Sequence, residues 1–209
     1  MVQIPLPPPR RTPRPVFHTL TAGVSVLRLF RPGSYHVSAT TFRSHGPLAR
    51  FDHHRGEGEK RRPVYDSTRG IYYAAFRLSC CVVEIFGDIG VVECDDWLVA
   101  AVTVARDLRL LDLRTHCAMR AGTVTAIAKD PERPRTQAWS RYFYEHPEIY
   151  SLVDGLCYSN AHNDEDALAL YDRAEPALHC PENAIRRLDS TGLRPTLLEI
   201  ADRHNLILA

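Results

Sequence analysis

The chain has 209 residues, 44% hydrophobic and 24% charged, with a formal net charge of +1. That length suits one domain with a real core, while the near-neutral balance argues against a surface built to neutralise many phosphates, so no direct nucleic-acid binding is expected. No apolar run approaches the ~18 residues of a membrane helix, and the N-terminus lacks the apolar core of a signal peptide. Residues 1–15 are proline-rich and basic. Proline removes backbone donors and favours extended polyproline II, so this stretch is predicted as an arm ahead of a single domain over 16–209.

Residues 24–30, Val-Ser-Val-Leu-Arg-Leu-Phe, read as a strand closed by Arg31-Pro32-Gly33. Arg28 lies inside it among apolar neighbours, and a cation there is costly unless it is paired or faces a pocket. Residues 46–52 include Arg50-Phe51; an arginine fork can hold a pyrophosphate bidentately, although a surface loop arginine is the plainer account. Residues 53–69 are polar and glycine-bearing, and are predicted as a long exposed loop of the kind that forms lids or binding elements.

The most informative stretch is 69–88. Residues 71–75 form a short apolar, aromatic strand, and 76–86 a nearly continuous apolar helix with Gly87 as its stop. Tyr72 and Tyr73 are adjacent, so they face opposite sides of the strand. At 100° per residue Arg77, Glu84 and Asp88 share one helical face. That face is either a solvated stripe or the edge of a cleft into which Glu84 looks.

Further along, 97–105 and 108–113 are predicted as strands of one hairpin turning at Arg106-Asp107. A short helix is expected within 114–126, and a helix over 136–145 capped by Thr136. Residues 196–206 form an amphipathic C-terminal helix. The six cysteines (80, 81, 94, 117, 157, 180) make no C-x-x-C pair and mostly sit in apolar runs, predicting buried reduced thiols in a cytoplasmic protein. His116-Cys117 and His179-Cys180 match no zinc spacing, so no metal is expected.

Gly-Ile-Tyr-Tyr-Ala-Ala followed by Val-Val-Glu-Ile-Phe resembles the core of the RES domain family, in which a "Y-L-A" strand precedes a helix carrying "A-L-x-E". Further matches fall in order over residues 24–175: Arg28 in the first core strand, Arg50-Phe51 as "G-R-F", Thr136-Gln-Ala-Trp as "T-Q-x-W-A", and Asp154-Gly-Leu-Cys-Tyr as "D-G-L-x-Y-x-S". At the last, the family serine falls on Asn160, with Ser159 one residue early. Either Asn160 substitutes as a hydrogen-bonding group, or a bulge brings Ser159 in.

The resemblance implies an α+β fold similar to the ADP-ribosyltransferases: a twisted core of two facing sheets with flanking helices. It implies an NAD-consuming toxin of a toxin–antitoxin pair, whose partner is an Xre-type helix-turn-helix protein. The implied reaction is cleavage of the nicotinamide–ribose bond, by a glycohydrolase or phosphorylase, without metal. Glu84 would act at the ribose, Arg28 with Arg50 on the phosphates, Tyr73 on nicotinamide or ribose, and Ser159 or Asn160 as a further cofactor contact. A protein ADP-ribosyltransferase using the same site, or a non-catalytic binding module of this fold, are the alternatives.

Overall fold

The computed structural model describes residues 3–33 and 37–209. Among the described residues thirteen strands form: β1 (Phe17–Leu20), β2 (Ser25–Phe30), β3 (His45–Gly46), β4 (Val64–Tyr65), β5 (Ile71–Ala75), β6 (Val91–Val92), β7 (Leu98–Val104), β8 (Leu108–Asp112), β9 (Gly155–Ser159), β10 (Asp166–Tyr171), β11 (Leu178–His179), β12 (Ile185–Arg187) and β13 (Ile207–Leu208). The α-helices are α1 (Leu78–Phe86), α2 (Cys117–Arg120), α3 (Arg133–Glu145), α4 (Pro147–Tyr150) and α5 (Arg194–Arg203).

The main sheet runs β1-β8-β9-β10-β5-β2-β7-β11, with β12 also on β7. Its pairs are antiparallel except β8 with β9. At the centre, β2 and β5 share the single register pair Leu27↔Ala75. The expected two-sheet α+β core is therefore present as two half-sheets hinged on one contact. Apolar side chains fill both faces, as an alternating strand requires when each side is covered. Leu29, Phe51 and Ala75 join the core that carries α1 and α3, while Val26, Phe30, Tyr72 and Leu168 join the other.

The 97–105 and 108–113 strands do form, but not as a hairpin. β7 pairs with β2, β11 and β12, whereas β8 pairs with β1 and β9, in the opposite half-sheet. A two-residue hairpin turn needs positive φ at its centre, and neither Arg106 nor Asp107 has it. Instead Arg106 turns away to Asp154, with Nη2 at 2.7 Å from Oδ1. The Asp107 carboxylate accepts the Ala22 N–H at 2.8 Å.

Of two helix ends, one matches expectation and one does not. α1 ends at Phe86 with Gly87 as its C-cap, as expected, although Gly87 keeps helical φ/ψ; the left-handed residue is Gly90 (φ 78°), whose N–H closes on the Phe86 carbonyl at 2.8 Å. α3 starts three residues early, at Arg133. Asp130, not Thr136, supplies the carboxylate at its start, accepting the Glu132 N–H at 2.9 Å and pairing with Arg135 at 2.7 Å. Thr136 is buried and binds the Arg50 carbonyl.

Residues 3–16 carry neither helix nor strand and run across α2 and α3. The Trp139 indole donates to the Pro5 carbonyl at 2.7 Å, and Arg14 N–H to the Arg120 carbonyl at 2.7 Å. All six cysteines are free, and all but Cys180 are buried. Among the described residues no helix is long and apolar enough to cross a membrane.

Candidate active site

A cavity of about 200 Å³ opens where the two half-sheets part. Its floor is Leu29 from β2, Tyr73 to Ala75 from β5, Tyr158 from β9 and Ala167 from β10. Cys80, Cys81, Glu84 and Ile85 of α1 form one wall, and Ala49 with Arg50 the other. Because β5 feeds α1 after two residues, the strand and helix that carry Tyr73 and Glu84 hold them in the same cavity. Tyr72, one residue earlier, points to the opposite core and donates its hydroxyl to the Ala39 carbonyl at 2.8 Å.

Glu84 is solvent-exposed yet ringed by cavity atoms. That desolvation raises its carboxyl above its ordinary value, and Asp88 adds to the shift, while Arg50 and His162 favour the charged form. Asp88 is 91% exposed at the side chain, 3.8 Å from His162, and lines no part of the cavity. The helical face predicted from the wheel thus divides: Asp88 is the solvated member, and Glu84 turns into the cleft. Arg77 at the other end is exposed and lies 3.9 Å from Glu165.

Arg50 is held by a hydrogen bond from Nη1 to the Asp130 carbonyl. Its loop packs on α3, where Gln137 and Ser140 side chains donate to the carbonyls of Ala49 and Phe51 at 3.0 and 2.7 Å. Burial holds the Tyr73 phenol well above its ordinary value, so it is neutral and able to donate. Cys80 and Cys81 line the cavity as thiols, since burial pushes Cys80 up to about 12 and Cys81 higher still.

The structure thus gathers Glu84, Tyr73 and Arg50 in one cavity. It does not bring Arg28 there. Arg28 sits on the opposite face of β2, stacked 4.4 Å from the Tyr72 ring centroid, with Nη1 donating to the Thr41 carbonyl at 2.6 Å. Neither Ser159 nor Asn160 lines the cavity. Ser159 ends β9 on the face away from Tyr158, whereas Asn160 is buried behind the α1 wall. Its Nδ2 lies 3.3 Å from Cys80 Sγ, and its Oδ1 accepts the His162 N–H at 2.6 Å. Asn160 therefore braces the β9–β10 connection against the helix that carries Glu84. Ser79 does the same, donating to Glu165 at 2.6 Å.

Sequence reasoning missed Asp52. Wholly buried, it accepts five hydrogen bonds: two from Arg43 Nη2 at 2.8 Å, one each from Leu48 and Ala49 N–H at 2.5 and 2.9 Å, and one from Tyr73 Oη at 2.9 Å. The neighbouring His53 and His54, expected in an exposed loop, are also fully buried. They back the Asp52 turn, and His53 packs at a tilt against Tyr144 and Tyr171 with ring centroids 4.4 and 4.5 Å away. The only advance signal was an acidic residue directly after an aromatic one in a stretch otherwise read as solvated.

A model of the RES domain matches residues 25–191. The chain belongs to the RES domain family. It is 33% identical over 91 residues to a protein described as "Probable toxin y4kH" from Sinorhizobium fredii (strain NBRC 101917 / NGR234), covering 44% of this chain and 69% of that protein. Its fold is similar to a chain of the M. tuberculosis MbcT–MbcA toxin–antitoxin complex, with a TM-score of 0.55, 16% identity, and coverage of 88% of this chain and 92% of that one.

Proposed function

We propose that this chain is the toxin of a toxin–antitoxin pair and consumes NAD by cleaving its nicotinamide–ribose bond. The observation that carries the reading is the placement of Glu84, Tyr73 and Arg50 around one cavity. Membership of the RES domain family, the toxin description of a relative and the toxin–antitoxin title of a structural neighbour support it.

At about 200 Å³ the cavity falls below the ~300–1,000 Å³ of pockets that enclose whole drug-sized ligands. It suits the reacting end of the dinucleotide, with the remainder lying outside. The C1′–N bond breaks with its electrons passing to the nicotinamide nitrogen, leaving an oxocarbenium-like ribose, as in glycoside hydrolysis. A fixed Glu84 carboxylate stabilises the developing cation. Arg50 binds a phosphate oxygen through its free guanidinium N–H groups, and Tyr73 stacks on the nicotinamide or ribose. A water or phosphate oxygen then bonds to C1′; water gives up a proton in doing so. No step requires a metal.

The partner is an Xre-type helix-turn-helix antitoxin that covers this cleft, docking an acidic or carboxylate-bearing segment near Arg50. The deciding experiment is release of free nicotinamide from NAD by the purified chain, with and without phosphate and without added metal. No release over hours at micromolar protein, for a chain shown free of bound partner, removes the enzymatic reading.

A further inference from the structure

Behind the loop that supplies Arg50, helix α3 carries a second concentration of positive charge. Arg141 is only 7% exposed, and its Nη1 is buried without a hydrogen-bond partner. It forms no ion pair with Glu145, which lies one turn on and is taken by Arg69 at 2.6 Å. Arg69 is itself 5% exposed, and its Nε is likewise buried without an acceptor.

Burial, with the charges of Arg61 and Arg69, pushes Arg141 down to about 10, and Glu145 offsets this only in part. Arg61 stands on the turn of residues 55–62, closed by the backbone pair Glu57–Arg62 and held in left-handed φ (47°). Glu145, already taken by Arg69, is the one carboxylate set against the charges of Arg141, Arg69 and Arg61. An unpaired buried cation is among the least favourable groups a fold can carry. Arg141 is such a cation among the described residues, and its Nη1 and the Arg69 Nε both lack acceptors, which describes a site for an anion.

We propose that Arg141, with Arg61 and Arg69, binds a phosphate-type dianion between the 55–62 turn and α3. Guanidinium forks match phosphate oxygens bidentately, and a dianion offsets the excess charge that one more carboxylate would leave half-compensated. The site does not share lining residues with the Glu84 cavity. The inference stands whether or not the chain cleaves NAD.

Thermal unfolding of the full chain, in phosphate against sodium chloride of equal ionic strength, tests it. Inorganic phosphate and glycerol phosphate are run separately, which distinguishes free anion from phosphate ester. At tenfold the Kd, Tm should rise by roughly 3–6 °C over the chloride control. Arg141→Met, which removes the unpaired charge but keeps the packing stem, should abolish the rise and match or exceed the wild-type Tm in chloride. If that variant does not fold, Arg61→Gln on the exposed turn should at least halve the rise. Arg50→Gln should retain it. No phosphate-specific rise in the wild type overturns the site, as does a full rise in Arg141→Met or Arg61→Gln. A rise lost only in Arg50→Gln would place the anion in the Glu84 cavity instead.

Discussion

The Tyr73 hydroxyl donates to a buried carboxylate, Asp52, at 2.9 Å, and the same hydroxyl accepts the Phe51 N–H at 3.1 Å. One contact thereby ties the cavity floor on β5 to the loop that presents Arg50. Asp52 also gathers Arg43 and two backbone N–H groups, so it faces donors on every side. Losing its charge leaves those donors unmatched, which for a buried ionic cluster costs about 3–5 kcal/mol. Asp52→Asn should therefore lower Tm by roughly 6–20 °C. Tyr73→Phe removes two hydrogen bonds, together about 2–4 kcal/mol, but leaves Asp52 its charge and its four other hydrogen bonds, so it should lower Tm by less than Asp52→Asn while reducing NAD turnover. Differential scanning calorimetry beside a nicotinamide-release assay separates the two. Similar Tm values for both variants would remove Asp52 as the organiser of this loop.

Glu84 and Asp88 are one helical turn apart on α1 and differ in what surrounds them. Glu84 lines the cavity, whereas Asp88 is solvated beside His162. Glu84→Gln preserves shape, so folding should change by no more than ~0.5 kcal/mol. It removes a fixed charge beside a developing cation, for a loss of ~10²–10³ in rate. Asp88→Asn should keep turnover. Because desolvation at the cavity wall raises the Glu84 carboxyl above its ordinary value, the acid limb of the pH–rate profile should lie above the ordinary glutamate range. Arg50→Gln, which removes a charge favouring the carboxylate, should move the limb further up. Equal turnover in Glu84→Gln and Asp88→Asn would return Glu84 to a solvated stripe.

The strand–helix unit was legible because its signals are local. A continuous apolar run set Ile71–Ala75 and Leu78–Phe86, and strand alternation put Tyr72 and Tyr73 on opposite faces. Arg28 was legible as an anomaly but not as to its side. Its direction follows from the register Leu27↔Ala75, a contact between strands about fifty residues apart that no local pattern contains. The same holds for the 97–113 strands, whose lengths were readable while their partners depended on a turn that does not close a hairpin. Asp52, His53 and His54 sit in a sequence that looks solvated, and only the packing of α3 and β5 against them explains their burial. Asn160 was located but its role was not, since its contact with Cys80 arises from tertiary packing.

Arg28 and Arg50 give a test of which face binds the dinucleotide. Arg50 lines the cavity, while Arg28 lies across the sheet against Tyr72. A hydrogen bond to a charged group contributes ~1.5–3 kcal/mol, so Arg50→Gln should raise the KM for NAD about 10- to 100-fold. Arg28→Met should leave KM within about twofold and act on Tm, through its ring contact and its bond to Thr41. A KM rise in Arg28→Met as large as that in Arg50→Gln would mean that the phosphates reach the opposite face.

His53 makes stability depend on pH. Burial, only partly offset by its contact with Asp172 at 3.2 Å, lowers it from 6.5 to about 4. The folded state therefore holds a neutral imidazole over a range in which the unfolded chain binds a proton. Above pH 6.5 neither state is protonated there, and His53 makes no pH-dependent contribution. As pH falls from 6.5 towards 4, the unfolded state gains a proton that the fold excludes, and stability drops at up to 1.36 kcal/mol per pH unit. Over the whole window this reaches about 3 kcal/mol. His54, lowered in the same direction by burial, adds to the slope. Urea unfolding at pH 7, 5.5 and 4 should show the wild type losing stability stepwise, and His53→Gln losing less over the same interval. Parallel slopes for the two proteins would show that His53 takes up its proton in the folded state.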